Sequence, residues 1–308
     1  MKTSLADRNY LRQSPSLVNG KYSLTSSESN LIYMLLTQID KDDEDFKDYQ
    51  FTKKDLEKKL GRSIHPGQLR STAESLMSKV LRIERSENDW ELLSWFSYFG
   101  YRDGVITCTF DKRLKPYLLK VKPFVLSDFR HLVQMRSEYS KRIYLLLKER
   151  AGFGERKFSV EDLMERLEVP KSLQVYADFK RKVLLQAVKD INKYSDLEVK
   201  NLGTGKKPTY FKEIKNGRKI NEVVFYFQKN WNDLKSFIEW IRECYTNQPL
   251  YYSKDKRLIK CDENGLLYYA DETLQTLDAE TAKKAWSFLF DKREDLLCFQ
   301  IEDEVLER

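Results

Sequence analysis

The feature that most constrains this 308-residue chain is an internal repeat. Leu31-Ile32-Tyr33-Met34-Leu35-Leu36 is answered by Arg142-Ile143-Tyr144-Leu145-Leu146-Leu147. A second pair of segments follows in the same order. Phe51-Thr52-Lys53-Lys54-Asp55-Leu56, with Leu60, is matched by Phe158-Ser159-Val160-Glu161-Asp162-Leu163, with Leu167. The two pairs are offset by 111 and 107 residues, so order and approximate spacing are both kept. The chain must therefore fold into two copies of one arrangement, each large enough for its own core.

In the first copy, Thr25-Ser26-Ser27-Glu28 is a capping box, because the hydroxyl can accept from the third helical N–H while the Glu reaches back. Leu31, Ile32, Leu35 and Ile39 follow at helical spacing. Asp42-Asp43-Glu44-Asp45 reads as a loop. Thr52 and Asp55 cap a second helix, which ends at Gly61 as a left-handed C-cap. His65 leads into Pro66-Gly67, which open a third helix. Leu69, Ala73, Leu76, Met77 and Val80 share one face of it, and Ser71, Ser75 and Ser78 share the other, flanked by Arg70 and Lys79. Strands are predicted at 90–99 and 105–110 around a turn at 100–104, then a short helix at 114–121.

The second copy opens with a predicted helix at 137–150, broken at Ala151-Gly152-Phe153-Gly154. Ser159 and Asp162 cap the next helix, which stops before Pro170. A third helix is predicted at 177–194, with strands at 197–202, 209–214 and 223–228. Asn216-Gly217 is the strongest short hairpin signal in the chain. Helix, helix, helix, hairpin is the layout of a winged helix. The predicted class is α+β: two tandem winged-helix domains related by a pseudo-two-fold internal repeat, plus a small α+β C-terminal extension. The expected limits are a flexible arm at 1–20, winged helices at 21–122 and 123–230, and an acidic segment at 231–308. That last segment is expected to hold a helix at 231–245, a hairpin pairing 250–252 with 266–269, and an amphipathic helix at 278–297 carrying Trp286, Leu289 and Phe290.

Charge is divided along the chain. Residues 231–308 carry 11 Lys and Arg against 17 Asp and Glu, while residues 1–230 carry 44 against 31. A basic body with an acidic tail suggests a polyanion partner. No run approaches the ~18 apolar residues of a membrane span, and Met1-Lys2-Thr3-Ser4-Leu5-Ala6-Asp7-Arg8 lacks the apolar stretch of a signal peptide. Cys108, Cys244, Cys261 and Cys298 form no CxxC pair, which argues against a zinc site or a disulfide framework and for a reducing cytoplasm. Gly203-Thr204-Gly205-Lys206-Lys207 lacks the spacing of a phosphate loop. Rolling-circle nicking needs clustered metal-binding histidines, and His65 and His131 are far apart. No catalytic residue, metal or cofactor is expected, and no small-molecule substrate.

The helix at 177–194 carries the sharpest signal. At 100° per residue, Phe179, Val183, Leu184, Ala187, Val188 and Ile191 fall on one face and Lys182, Gln186, Lys189 and Lys193 on the opposite one. Lys180 and Arg181 sit near its start. An anchored apolar back and a front of long donors is what a major-groove helix requires. From 171 to 219 there are 13 Lys and Arg against 5 Asp and Glu. Lys206 and Lys207, and Lys215, Arg218 and Lys219 around the Asn-Gly turn, place cations on the tips of a wing, where phosphate neutralisation is expected. The third helix of the first copy offers Arg70, Ser71, Ser75 and Lys79, which suit weaker, positioning contacts.

Residues 10–230 resemble the RepB/RepE-type initiator proteins of iteron-containing plasmids. The resemblance lies in Tyr22-Ser23-Leu24-Thr25 leading into Glu28 and Leu31-Ile32, and in Tyr139-Ser140-Lys141-Arg142-Ile143-Tyr144-Leu145-Leu146. Phe179-Lys180-Arg181-Lys182-Val183-Leu184 and a wing holding Lys215-Asn216-Gly217-Arg218-Lys219 complete it. It implies two winged helices that bind direct repeats at an origin as a monomer and an inverted operator as a dimer, the latter repressing the protein's own gene. It implies origin opening and recruitment of the host's helicase-loading proteins, without catalysis, in the cytoplasm on plasmid or nucleoid DNA. Base contact would come from Lys180, Arg181 and Lys182, and dimer contact from the first domain's sheet near 90–110. Lys-Arg-Lys departs from an all-arginine cluster, and lysine lacks the fork that grips guanine, so the recognised sequence is expected to differ. A winged-helix transcription regulator of plasmid or prophage origin shares the same binding chemistry, and so, more weakly, does a structural scaffold.

Overall fold

The computed structural model describes residues 5, 8–40, 42–204, 208–229, 238, 241, 249–252, 258–262, 266–269 and 275–291. The chain divides into two units, Met1–Gln228 and Lys229–Arg308.

The first unit begins with β1 (Tyr10–Gln13) and α1 (Pro15–Asn19). α2 (Ser26–Leu36) starts at the capping box, where Glu28 N donates to Thr25 Oγ1 at 3.3 Å and Thr25 N donates to Glu28 Oε2 at 2.6 Å. β2 (Tyr49–Thr52) runs straight into α3 (Lys53–Leu60), capped in the same way by Thr52 and Asp55 and closed by Gly61 at φ 65°. α4 (Pro66–Ser78) takes His65 as its N-cap, Nδ1 accepting from Gly67 N. β3 (Val80–Ser86), β4 (Asp89–Ser94), β5 (Phe96–Arg102) and β6 (Val105–Phe110) follow. β2, β6 and β5 form one antiparallel sheet in that order, and β3 with β4 forms a separate hairpin.

After α5 (Lys115–Leu118), β7 (Val125–Asp128) and α6 (Phe129–Gln134), the pattern returns. α7 (Glu138–Glu149) is followed by β8 (Glu155–Ser159) and α8 (Val160–Arg166), with Ser159 as its N-cap. The third helix is α9 (Tyr176–Phe179), a π turn (Lys180–Leu184) and α10 (Leu185–Tyr194) in unbroken succession. β9 (Leu197–Val199), β10 (Phe211–Asn216) and β11 (Lys219–Lys229) complete it. β8, β11 and β10 pair in that order, as β2, β6 and β5 do, and β9 joins β11. The repeat in sequence is thus a repeat in topology. Phe51 and Phe158 occupy the same place in the first strand of each sheet, and both are buried, as are Leu56 with Leu163 and Leu60 with Leu167. The fold is two tandem winged helices.

Three expectations about the elements of the first unit need correction. Tyr10–Gly20 is no loose arm: β1 pairs with β7 from Tyr10↔Asp128 to Gln13↔Val125, and Leu11, Leu17 and Val18 are buried. Within it, Ser14 Oγ accepts from Leu17 N at 3.1 Å and starts α1. The strand expected at 90–99 is two strands in two sheets, divided at Trp95, whose buried ring takes the chain out of one ladder before the next begins. The partner of β4 is β3, so Val80 opens a strand and is exposed, instead of closing the apolar face of α4. β8, short and charged, carries no alternating pattern that would mark it as a strand.

In the second unit β12 (Pro249–Tyr252), β13 (Leu258–Cys261) and β14 (Leu267–Tyr269) form a three-stranded antiparallel sheet. The partner of Leu250–Tyr252 is therefore 258–261, not 266–269 as expected. α11 (Ala279–Asp291) buries Trp286 and Leu289. Most of the helix expected at 231–245, the side chain of Phe290 and the stretch expected to continue α11 to 297 lie outside the described residues.

The two halves meet through the pairing of β1 with β7 and through α7. Every residue from Ser140 to Leu147 is buried, including the cations Lys141 and Arg142. Lys141 Nζ donates to Asn30 Oδ1 at 2.7 Å, Ser26 Oγ at 2.9 Å and Ser29 Oγ at 3.0 Å, all on α2. Ser29 Oγ in turn donates to Glu138 Oε2 at 2.5 Å, and Glu138 lies 3.6 Å from the ammonium. Burial pushes Lys141 down and Glu138 up, each opposed by the other's charge. Arg142 donates to Val18 O at 3.2 Å and Gly20 O at 2.6 Å, and its guanidinium covers the Tyr22 ring at 3.7 Å. A Cβ on Gly20 would stand 2.8 Å from Leu81 Cδ1 and 3.2 Å from the carbonyl oxygens of Arg82 and Leu17, so a larger residue there would have to displace the Leu81 side chain. Outside this buried core, Lys21 pairs with Glu84 and with Glu165 at 2.7 Å, and Arg82 with Glu168 at 2.8 Å, bridging β3 to α8 and its C-terminal end.

Removing a partner from a buried polar set leaves desolvated charge behind. Lys141→Ala is expected to cost about 3–5 kcal/mol of unfolding free energy, and Arg82→Ala in the exposed bridge less than about 1 kcal/mol. Urea unfolding of the two variants measures the contrast; equal costs would show that α7 is not what joins the two winged helices.

Candidate nucleic-acid interface

The rod from Tyr176 to Tyr194 buries Phe179, Val183, Leu184, Ala187, Val188 and Ile191, the face that the 100° spacing marks. Arg181, Lys182, Lys189 and Lys193 are exposed on its other side. Two candidate residues are placed differently. Gln186 is half-buried and its Nε2 donates to Asp190 Oδ1 at 2.8 Å, while Asp190 Oδ2 accepts from Ser140 Oγ on α7 at 2.7 Å. Leu185 takes the exposed place instead. Lys180 turns to the sheet: its Nζ lies 2.7 Å from Glu213 Oε1 on β10 and 5.7 Å from the centroid of the Phe211 ring. The π turn at Lys180–Leu184 widens the helix where the basic tripeptide sits, so the regular 100° step used for the sequence reading does not hold there.

Two carboxylates stand among these cations. Asp178 Oδ1 accepts from Arg181 Nη2 at 2.8 Å and lies 3.5 Å from Lys182 Nζ. The hydrogen bond from Arg181, then the charge of Lys182, hold the Asp178 carboxyl below its usual range. Burial opposes ionisation of Glu213, but hydrogen bonds from Lys180 and from Tyr176 Oη at 2.5 Å outweigh it and lower its pKa. In the sequence both acids register only as charge subtracted from the region. Their partners depend on the fold bringing β10 to the helix start.

The wing is the β10–β11 hairpin. Asn216↔Lys219 is the last paired position, leaving a two-residue turn with Gly217 at φ 60°, a conformation glycine adopts without strain. Lys215, Arg218 and Lys219 are exposed, and none has an ion-pair partner within 4.0 Å among the described residues. The loop leading to β10 is anchored by Asn201, whose Oδ1 accepts from Gly203 N and Thr209 N at 3.0 Å each. Lys206 and Lys207 lie outside the described residues. Lys200 and Lys212, not singled out in sequence, add exposed cations around the same sheet.

The corresponding face of α4 is less available. Ser71 Oγ donates to Gln68 O at 3.1 Å and Ser78 Oγ to Ser75 O at 2.7 Å, so those hydroxyls are spent on the helix's own carbonyls. Arg70 pairs with Glu74 at 2.8 Å, Ser75 is half-buried, and Lys79 lies 4.0 Å from Glu28. His131 is packed against Tyr144 and lies 3.6 Å from Asp196. Among the described residues no group of histidine, cysteine and acidic side chains is placed to hold a metal ion, and no helix is long and apolar enough to cross a membrane.

Comparison with known proteins finds two family models on this chain. A family model described as initiator replication protein, WH1, matches residues 10–148, and one described as initiator Rep protein, WH2, matches residues 159–227. Among solved structures, the crystal structure of RctB domains 2-3 is similar at a TM-score of 0.34 and 11% identity, covering 58% of this chain and 74% of that one. Selenomethionine derivatives of domain 2 and domain 3 of RctB give a TM-score of 0.39 and 10% identity, over 74% and 95%.

The geometry separates two kinds of cation, and substitution is expected to separate them in solution. Arg181→Ala or Lys182→Ala should cost on the order of 1–3 kcal/mol on a preferred duplex and relax its sequence preference. Arg218→Ala or Lys219→Ala should weaken every duplex alike and flatten the salt slope by about 0.9 for each phosphate no longer neutralised. Titrations over a range of salt decide it; a fall in sequence preference in the wing variants would reverse the assignment.

Proposed function

The chain belongs to the initiator replication protein family, and from that premise we propose that it is a sequence-specific duplex DNA-binding initiator of plasmid replication. The observation that carries this reading is the second winged helix. Its third helix has a wholly buried apolar back, and its exposed front offers Arg181, Lys182, Lys189 and Lys193 beside a wing bearing Lys215, Arg218 and Lys219. Arg181 and Lys182 contact base edges in the major groove. Lys189, Lys193 and the wing cations, with Lys206 and Lys207, neutralise phosphates. Arg70, Ser71, Ser75 and Lys79 of the first winged helix position the chain on a neighbouring stretch of backbone. Gln186 and Lys180 act indirectly, through Asp190 and Glu213.

Two winged helices in one chain favour an asymmetric, directly repeated site, because a single copy can grip two consecutive segments of one duplex. We propose that monomers fill an array of direct repeats at an origin, promote its opening and recruit the host's helicase-loading proteins, with no catalytic step of their own. A dimer on an inverted operator represses the protein's own gene. Self-association fits the exposed apolar side chains of the first winged helix: Trp90 and Leu92 on β4, and Tyr98 and Tyr101 on β5. Plasmid DNA in a bacterial cytoplasm is the setting these roles require.

Selection of bound fragments from total cellular DNA, plasmids included, with purified protein at physiological salt tests the reading. A cluster of direct repeats beside an AT-rich stretch is expected. Scattered single inverted repeats in promoters would make the protein a transcription regulator instead. Trp90→Asp is expected to shift the protein toward monomer in sedimentation while direct-repeat binding persists; an unchanged dimer would move the interface elsewhere.

A further inference from the structure

All three cations that open the third helix of the second winged helix are already engaged. Lys180 is held by Glu213 at 2.7 Å and Arg181 by Asp178 at 2.8 Å, and Lys182 lies 3.5 Å from the same Asp178 oxygen. Glu213 comes from the wing strand and also accepts from Tyr176 Oη, so it ties the first turn of the helix to the sheet. Two carboxylates thus offset most of the charge of the Lys-Arg-Lys cluster. Further along, Lys189, Arg218 and Lys219 have no ion-pair partner within 4.0 Å among the described residues, nor has Lys215, whose charge acts on Glu213 from farther away. The interface has a nearly neutral head and a strongly positive flank.

Phosphates and base edges ask different things of a cation. A phosphate is offered at every step of any duplex, and contact with it is driven by charge and counterion release. A base edge rewards alignment, as when a guanidinium fork meets guanine O6 and N7. Asp178 engages only Nη2 of Arg181, so the remaining guanidinium donors stay available. A carboxylate beside each cation also repels an arriving phosphate. We propose that Asp178 and Glu213 are specificity-determining positioning residues. They suppress sequence-independent attraction at the helix head, and they hold Arg181 and the head itself in the geometry for reading bases. The inference rests on the duplex-binding reading above. An ordinary surface ion pair in the same place would leave sequence preference unchanged.

Glu213→Gln and Asp178→Asn in the full-length protein test this, since both keep shape and hydrogen-bonding capacity while removing charge. Two probes are titrated across a range of salt: a duplex enriched by the wild-type protein from a random-sequence library, and a scrambled duplex of equal length and composition. Each variant is expected to bind the scrambled duplex about three- to tenfold more tightly, with a salt slope steeper by about 0.9 for each cation released to a phosphate. The enriched duplex gains less, so the preference falls about three- to tenfold. Asp178→Glu, which restores the charge, is expected to recover more of the preference than Asp178→Asn. Equal strengthening of both probes, or wild-type behaviour of both variants, overturns the inference while leaving the initiator reading intact. Failure of the wild-type protein to enrich any duplex overturns the sequence-specific reading and this inference with it. Because the two acids lie on different elements, misfolding of one variant leaves the other as the test.

Discussion

Two buried cations on one helix set the relation between the halves of the DNA-binding body. Lys141 and Arg142 leave α7 in the second winged helix and end on acceptors of the first half, on Ser26, Ser29 and Asn30 and on the carbonyls of Val18 and Gly20. A buried charge without partners costs several kcal/mol. α7 supplies the two cations and Glu138, and the segment from Val18 to Asn30 supplies the hydrogen-bond acceptors, so the set is satisfied only when both are in place. Hydrogen bonds of fixed length and direction also fix orientation, which apolar packing by itself leaves looser. The exposed bridges from Lys21 and Arg82 lie outside this core and in higher dielectric, where they contribute little.

The same helix reaches toward the DNA face. Ser140 donates to Asp190 and Tyr144 Oη donates to Asp196, so α7 braces both α10 and the turn that follows it. Adjacent residues of α7 therefore serve different ends. Ser140 and Tyr144 hold the third helix of their own domain, while Lys141 and Arg142 hold the other domain. A chain that grips two consecutive stretches of duplex needs the distance between its two reading elements to be set, and α7 contributes by holding α10 on one side and α2 on the other. Tyr139 to Leu146, one of the segments that carry the resemblance to the initiator family, is thus mainly architectural; its charged pair faces protein.

How much of this is legible in the sequence varies with the range of the interaction. Capping boxes at Thr25 and Thr52, the left-handed Gly61 and the proline start at Pro66 depend on neighbours within a few residues, and each is present. The buried back of the third helix follows from a local period and is also present. Strand partners depend on the whole fold. Nothing local to 90–99 marks Trp95 as the point where one ladder ends, and nothing in Glu155-Arg156-Lys157 marks an edge strand whose pairing comes from β11. The segment at 10–20 reads as a loose arm because one short strand and one turn of helix carry too little pattern to stand above a Ser- and Pro-containing background. Among the candidate site residues, the exposed cations are legible because charge resists burial. The redirection of Gln186 and Lys180 is not, since Asp190 and Glu213 lie within reach of them only in the folded state.

The acids near the cations change how the basic character of 171–219 should be understood. Summed charge describes attraction at a distance, out to the roughly 10 Å over which salt screens it. Recognition happens closer than that, where each cation is judged with its nearest carboxylate. On the wing tip and at Lys189 no carboxylate lies within 4.0 Å among the described residues, and net charge is a fair guide. At the helix head it is not, because Asp178 and Glu213 lie within 4.0 Å of the ammonium and guanidinium groups they offset. A single basic stretch of sequence therefore contains two electrostatic environments. The one with more paired charge coincides with the end of the helix proposed to meet base edges, and the one with less coincides with the surfaces proposed to meet the backbone.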